Sequence, residues 1–185
     1  SFPGGEPSTS TDIAPVVTYP NSGVYTVSLT VSDGTSSITS TEEALITVLD
    51  NPGSVAPLFE GFESANEPMD AGWKAVNVND DNGFTVSNAA AFSGSKSIRL
   101  LNSVSMDGRT DQLVSPTIDM SAATDITLSF RFAYARRSNT SADQLRVFVS
   151  SDCGQTWSMR ANLSGTTDLY TGGIQAGSFV PGGPG

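Results

Sequence analysis

VFVSSDCGQTW, residues 147–157, carries the most specific structural signal in this chain. From Ser150 to Trp157 it fits the spaced pattern S-x-D-x-G-x-T-W at every fixed position. Asp and Gly favour tight turns, because a short carboxylate accepts hydrogen bonds from nearby amides and Gly tolerates positive φ angles. The stretch therefore predicts a β-hairpin and not a reaction centre.

The octapeptide resembles the motif known as an Asp-box. That resemblance implies that Asp152 ties the amide hydrogens of the turn, that Gly154 takes the positive-φ position and that Trp157 packs beneath. Sialidases repeat such boxes around a propeller and gather an arginine triad with a Tyr nucleophile. Only one box occurs here and no blade-length period accompanies it, so the sequence argues against a sialidase.

The N-terminal part of the chain also shows strand periodicity. Tyr25, Val27, Leu29 and Val31 alternate with polar residues in 23–33, which predicts a half-buried antiparallel strand. Asp33-Gly34 predicts the following turn, and residues 45–49 and 15–19 predict two further strands.

From Leu58 onward the chain predicts eight short strands separated by turn signals and no convincing helix. The alternation is clearest at Ile126, Leu128, Phe130, Phe132 and Tyr134. Many short strands with turns between them favour an all-β jelly-roll sandwich. The candidates are residues 58–62, 73–78, 84–87, 97–101, 112–115, 126–134, 144–150 and 157–162.

Composition narrows the possible chemistry. The 185 residues carry a formal net charge of -10, which would repel a phosphate backbone and an anionic membrane surface, so nucleic acid is not an expected partner. No apolar run approaches the roughly 20 residues of a membrane span, so membrane insertion is not expected either. The chain has no His, which removes histidine-based triads and the H-E-x-x-H zinc helix. Cys153 is the only cysteine and is expected to be a free thiol or to pair outside this chain.

Residues 1–49 resemble the second half of a polycystic-kidney-disease (PKD) repeat, a small immunoglobulin-like sandwich. The resemblance rests on SFPGG, on PVVTYPNSGVYTVSLTVSDG and on ALITV in that order. Gly4 stands where that family has an Asp, and the family's earlier strands are missing. Half a sandwich buries too little surface to be stable alone, so we expect the chain to belong to a longer polypeptide. Residues 50–57, DNPGSVAP, have the composition of a linker.

Residues 58–170 resemble the jelly-roll adhesin modules of the cleaved-adhesin type, related to MAM-like sandwiches, that follow the catalytic domains of secreted bacterial proteases. We expect this domain to occupy residues 58–185 and its last strands to run past Gly185. The landmarks are FEGFE at 59–63 with Trp73, DQLVSP at 111–116, and the Asp-box. A PKD repeat before such a module further resembles the C-terminal region of secreted pappalysin-type zinc metallopeptidases. The resemblance implies a secreted or cell-surface parent, with its catalytic domain outside this chain.

A structural calcium site is the chemistry that the sequence predicts best. Ca²⁺ prefers about six to eight oxygen ligands, and loops without disulfides gain stability from such an ion. The family resemblance implies Glu63, Asp80 and Asp111 as the first ligands, with Glu60 and Asp81 next. The alternative is that N-V-N-D-D-N-G at 77–83 is only a turn built from good turn formers.

The sequence predicts no catalytic residue. We expect a non-catalytic accessory region of a protease that holds extracellular protein or polysaccharide, or anchors its parent to a surface. A purely structural spacer is the alternative: apolar patches, aromatic platforms or a groove would favour binding, and a uniformly polar surface would favour the spacer. An independent glycosidase is the least favoured hypothesis, because no carboxylate pair can be placed from these strands. Arg136-Arg137 is more simply a solvated loop than an anion site, and nothing orients Tyr170 or Phe179 to stack on a sugar.

Overall fold

A computed structural model describes residues 1–50, 53–102 and 108–182, and it confirms that the protein is all-β. Within that part of the chain the only helical element is a 3₁₀ turn at Pro68–Ala71. The strand bounds are β1 Gly23–Ser32, β2 Ser37–Val48, β3 Ser54–Val55, β4 Lys74–Asn77, β5 Thr85–Ser87, β6 Ser97–Arg99, β7 Asp111–Val114, β8 Ile118–Asp119, β9 Gln144–Val149 and β10 Ser158–Ser164. The described strands form two-stranded ladders, of which only β3–β8 is parallel: β1–β2, β3–β8, β4–β7, β5–β6 and β9–β10.

Strands β1 and β2 form the longest hairpin, and the predicted strand at 23–33 is confirmed. Its expected half-burial holds only as far as Ser28, because residues 29–32 are exposed. The turn begins at Asp33, whose carboxylate accepts hydrogen bonds from the amides of Thr35 at 2.8 Å and Ser36 at 2.7 Å. Gly34 adopts a φ of 89°, which favours a residue without a side chain. The sequence therefore marks this turn correctly.

A bulge interrupts this ladder. Tyr25 pairs with Ile46 and Val27 pairs with Glu42, so three residues of β2 oppose Thr26 alone. Ala44, inside the bulge, has a φ of 51°, and the hydroxyl of Thr26 donates to the carboxylate of Glu43. Because the ladder resumes two residues further along, the faces of both strands are preserved.

The chain forms two compact units. The first comprises residues 1–87 and 97–122, and the second comprises residues 88–96 and 123–185. The first unit therefore takes in residues on both sides of the predicted linker. The division into domains at 1–49, 50–57 and 58–185 stays a prediction, as does the assignment of immunoglobulin-like and jelly-roll sandwiches.

In the first unit, the predicted linker is anchored by a strand that the sequence did not predict. Ser54–Val55 pairs with β8, and the amide of Ser54 donates to the carbonyl of Thr117 at 2.7 Å. Nearby, Lys74 is only 2% exposed as a residue. Its ammonium group lies 3.3 Å from Asp50 Oδ2 and donates to the carbonyl of Gly72 at 3.1 Å. A buried ammonium group requires such partners, so Asp50 and Lys74 join the linker to β4.

In the second unit, hairpin β9–β10 confirms two predicted strands. A second set of bonds crosses from residues 134–136 to residues 171–175: the amides of Thr171 and Gly172 both donate to the carbonyl of Tyr134, at 3.1 and 2.9 Å. The hydroxyl of Tyr134 donates to Asp143 at 2.5 Å. Burial and this bond to the carboxylate raise the pKa of Tyr134 above its ordinary value.

Three predicted strands do not form. Residues 58–62 and 126–134 lie outside the ladders, and of residues 15–19 only Thr18 is paired, in a single bridge to Glu6. The alternation at 126–134 correctly describes a chain with one apolar side, but periodicity specifies no partner strand. Without a ladder, Ile126 and Leu128 remain 65% exposed.

Candidate functional site

The Asp-box forms the turn of hairpin β9–β10, as predicted. Asp152 Oδ1 accepts the amide of Thr156 at 2.8 Å and the hydroxyl of Ser150 at 2.7 Å, and Asp152 Oδ2 accepts the hydroxyl of Thr156 at 2.5 Å. Ser150 Oγ in turn accepts the amide of Gly154 at 2.8 Å. The carboxylate is thus used entirely within its own turn.

These bonds lower the pKa of Asp152 to about 2, with the hydroxyl and amide of Thr156 as the largest causes. Hydrogen bonds to the charged form of a carboxyl group favour that form, so the turn is held by an ionised Asp at neutral pH. Nothing in this geometry leaves the group available as a general acid or base. The Asp-box is therefore a folding device here.

The backbone of the turn differs from the expectation in one respect. Gly154 has the predicted positive φ, at 84°, but Cys153 before it has a φ of 57°. Cys153 is exposed and is a free thiol within this chain. Trp157 is also about half exposed, at 48%, so the prediction that it packs beneath the turn is wrong.

Two of the predicted calcium ligands meet at one end of the β4–β7 ladder. Asn77, the last residue of β4, pairs with Asp111, the first residue of β7, and Asp81 lies in the loop that follows β4. The side chain of Asn77 donates from Nδ2 to the carbonyl of Asp81 at 2.6 Å and draws the loop towards the strand. The ladder register and this bond together bring Asp81 to Asp111.

The carboxylates of Asp81 and Asp111 each present a buried oxygen without a partner. Oδ1 of both residues lacks a hydrogen bond among the described residues. Burial raises the pKa of Asp111, and the negative charge of Asp81 raises it further. Buried carboxylate oxygens normally have a donor or a cation, so this pair is the strongest candidate for a cation site among the residues that the structure describes.

Arg109 also lies at this pair. Its guanidinium group forms an ion pair with Asp81 Oδ2, on the opposite oxygen from the unpartnered one. The arginine offsets one of the two negative charges and leaves both Oδ1 atoms unpaired. The sequence did not point to Arg109, because no spacing rule relates a loop residue to an acid 28 positions earlier.

Glu60, Glu63 and Asp80 have separate surroundings. Glu60 Oε1 accepts the amide of Phe62 at 2.5 Å, in a turn where Phe62 has a φ of 62°. Glu63 is exposed and has an interaction of its own, and Asp80 is exposed with a φ of 49°. Over residues 1–50, 53–102 and 108–182, no three acidic or thiol side chains come together as a group able to hold a metal.

The turn interpretation of residues 77–83 also has support. Besides the bond from Asn77 Nδ2, the amide of Asp80 donates to the carbonyl of Asn77 at 3.4 Å. Asn and Asp commonly stabilise loops in this way. A loop held by Asn77 and a cation held by Asp81 and Asp111 are compatible, because they use different atoms.

In the pair Arg136-Arg137, the side chain of Arg136 forms hydrogen bonds within its own loop. Arg136 Nε donates to the carbonyl of Ser141 at 3.2 Å, Nη2 donates to the carbonyl of Asn139, and the guanidinium lies 5.9 Å from the centre of the Tyr170 ring. Arg136 therefore fastens its own loop, which agrees with the simpler of the two interpretations of this pair.

No helix in the described residues is long and apolar enough to cross a bilayer. Comparison with family models, curated proteins and solved structures finds no match to this chain.

Proposed function

We propose that this chain is a non-catalytic accessory region of a secreted or surface-associated bacterial protease. Its sequence resembles a partial PKD repeat followed by an adhesin-type jelly roll, and the parent would be a pappalysin-type zinc metallopeptidase. In this proposal the chain binds extracellular protein or polysaccharide near a distant active site, or attaches the parent to a surface. Such tethering raises the local concentration of substrate without new chemistry.

An exposed apolar patch on hairpin β1–β2 carries this proposal. Val31 and Ile38 are directly paired in the ladder, and Leu29 lies two residues from Val31 on the same face. These three side chains, here called the hairpin patch, are 63%, 79% and 65% exposed respectively. Contiguous exposed apolar side chains mark interaction surfaces more often than spacers, so the patch favours binding over the spacer alternative.

Three aspartates that stabilise turns support the role of this chain as a scaffold. Asp33, Asp119 and Asp152 each accept a hydrogen bond from a backbone amide two to four residues further along. Each has a pKa below the ordinary value because of hydrogen bonds within its turn. These acids stabilise loops that display a surface, which is the role expected of a binding module.

Calcium is part of the proposal as a structural ion. Asp81 and Asp111 would hold it through their unpartnered Oδ1 atoms, and the ion would offset the negative charge that Arg109 leaves uncompensated. Remaining ligands would come from water or neighbouring carbonyl oxygens, as Ca²⁺ sites commonly use.

Binding can be tested with the purified 185-residue chain and immobilised gelatin, casein, cellulose, chitin and alginate. The variant Leu29→Thr/Val31→Thr/Ile38→Thr replaces the hairpin patch with residues that keep strand propensity. We expect the native chain to bind at least one of these materials and the variant to bind it at least about tenfold more weakly. The matched control is Ile13→Thr/Val16→Thr, which changes two exposed apolar residues outside the hairpin.

Two results would contradict the proposal. Equal binding by the native chain and the hairpin variant would show that the hairpin patch does not bind these materials, and the proposal would lose its principal support. Peptide hydrolysis by the purified, metal-supplemented chain would show that the region is itself an enzyme.

A further inference from the structure

The second unit contains a strand-like segment whose backbone lacks partners. Residues 125–133, here called the open strand, form no backbone hydrogen bond among the described residues. No turn or bend interrupts residues 126–133. The segment is limited by a bend at Thr124–Asp125 and by Tyr134, whose carbonyl already accepts Thr171 and Gly172. An exposed strand with free N–H and C=O groups is a template for another strand.

The side chains of the open strand are arranged for pairing on one face. Ile126, Leu128, Phe130 and Phe132 alternate with polar residues, and the rings of Phe130 and Phe132 lie 6.1 Å apart between centroids. Even the two phenylalanines remain 45% and 42% exposed. A partner strand would therefore satisfy the backbone and cover apolar surface in the same step.

The sequence of the open strand is complementary to itself in one antiparallel register. With Leu128 opposite Leu128 of a second copy, Ile126 faces Phe130 and Thr127 faces Ser129. Asp125 then faces Arg131, and the twofold axis repeats this opposite-charge pair on the other side of Leu128. A shift by one residue would place apolar side chains against polar ones.

Both charged residues are available for this pairing. Asp125 is exposed and makes no hydrogen bond or ion pair in the described structure. Arg131 stacks on the Phe92 ring, with the guanidinium carbon 4.8 Å from the ring centre, and forms no ion pair among the described residues. Stacking of this kind leaves the N–H groups of the guanidinium free for a carboxylate.

We propose that this protein self-associates as a twofold-symmetric dimer, in which two open strands pair antiparallel with Leu128 on the symmetry axis. The charge complementarity of Asp125 and Arg131 selects a second copy of this chain over an unrelated strand. The net charge of -10 on each copy opposes association, but at physiological ionic strength the screening length is only about 8 Å. The interface uses none of the residues of the hairpin patch, so its test does not depend on what that patch binds.

Disulfide trapping tests the register. In a Cys153→Ser background, Leu128→Cys places two thiols directly opposite each other, about 4.5–5.5 Å apart between Cα atoms, which a disulfide can span. The matched control is Phe130→Cys, whose thiols would be four residues apart along the ladder, about 13 Å, and too distant to join. We expect mild oxidation to give covalent dimers with Leu128→Cys and not with Phe130→Cys. The reverse pattern would overturn the register.

Charge exchange tests the interface by an independent route. Asp125→Arg or Arg131→Asp alone converts both cross-strand pairs into like-charge pairs, and sedimentation should show roughly ten- to thirtyfold weaker dimerisation. The double variant Asp125→Arg/Arg131→Asp restores opposite charges and should restore dimerisation, which a merely misfolded variant would not do. A native chain that stays monomeric at about 100 μM would overturn the proposal. It would also be overturned if the open strand of that monomer bound an extended peptide instead of a second copy.

Discussion

At the scale of single residues, aspartate performs two opposite tasks in this protein. Asp152 is surrounded by donors, which favour its charged form and lower its pKa to about 2. Asp111 is half-buried near another acid, Asp81, and its pKa is raised. Both lie in motifs that the sequence singled out, but only the structure separates the carboxylate that holds a turn from the one that lacks a counter-charge.

The Asp152 carboxylate should make the stability of hairpin β9–β10 depend on pH in acid. Its pKa is lower in the folded chain than its ordinary value of 3.8, so its contribution is complete above pH 3.8 and is lost as the pH falls towards 2. Asp152→Asn should remove this part of the acid sensitivity and weaken the hairpin at neutral pH. Urea unfolding between pH 2 and 7 measures both effects.

Ser151→Ala is the matched control in the same turn, because Ser151 makes no side-chain hydrogen bond in the described structure. It should keep the native pH profile. An Asp152→Asn profile that parallels the native one from pH 2 to 5 would contradict the role given to this carboxylate.

At the scale of elements, sequence reasoning succeeded where partners are close along the chain. Hairpins β1–β2 and β9–β10 have their turn residues and strand periodicity within about 25 residues, so local pattern specifies them. The pairing of β3 with β8 joins residues more than 60 positions apart, and Ser54–Val55 is too short to show a period. The open strand shows the same limit of local pattern. Its alternation correctly predicts an extended segment with one apolar side, but alternation does not reveal that the segment has no partner strand.

Gly53 should be essential for the parallel pairing of β3 and β8. A Cβ atom at this position would lie 1.9 Å from the carbonyl oxygen of Thr117 and 2.1 Å from its hydroxyl. Gly53→Ala must therefore displace the Thr117 carbonyl that accepts the hydrogen bond from the Ser54 amide, and we expect a loss of about 2 kcal/mol or more in the free energy of unfolding.

Chemical denaturation of the Gly53→Ala chain measures this loss. Gly177→Ala serves as the control, because a Cβ atom there would meet nothing within 4 Å. Equal unfolding midpoints for the two variants would show that the chain does not need this close approach.

At the scale of the whole molecule, the excess of acidic side chains makes the binding of cations favourable. The sequence predicted part of the candidate cation site. Asp81 and Asp111 were among the five predicted ligands and are brought together by the register of β4 with β7. Among the described residues, none of Glu60, Glu63 and Asp80 completes a group of three acids with this pair, whereas Arg109 does contact it. Both outcomes depend on loop geometry, which residue type and spacing do not encode.

Calcium should raise the melting temperature of the chain by several degrees, and chelation should reverse the gain. Without the ion, the raised pKa of Asp111 means that its charged form costs stability above that pKa, and stability recovers as the pH falls through it towards 3.8. Asp111→Asn should therefore be the more stable chain in chelator at neutral pH, yet gain less from calcium.

The exposed acid Glu6 provides the control for this experiment, and Glu6→Gln should respond to calcium as the native chain does. Melting curves followed by circular dichroism, with and without chelator, distinguish these cases. Identical curves for the native chain under both conditions would argue against a structural calcium ion.

The bulge opposite Thr26 gives this chain an asymmetric tolerance to changes in length. Because three residues of β2 stand against one of β1, deleting two of residues 43–45 would yield an uninterrupted ladder in which every later side chain keeps its orientation. Deleting one would invert that orientation from the bulge to the end of the strand. Natural variation in length at this place should accordingly occur in steps of two.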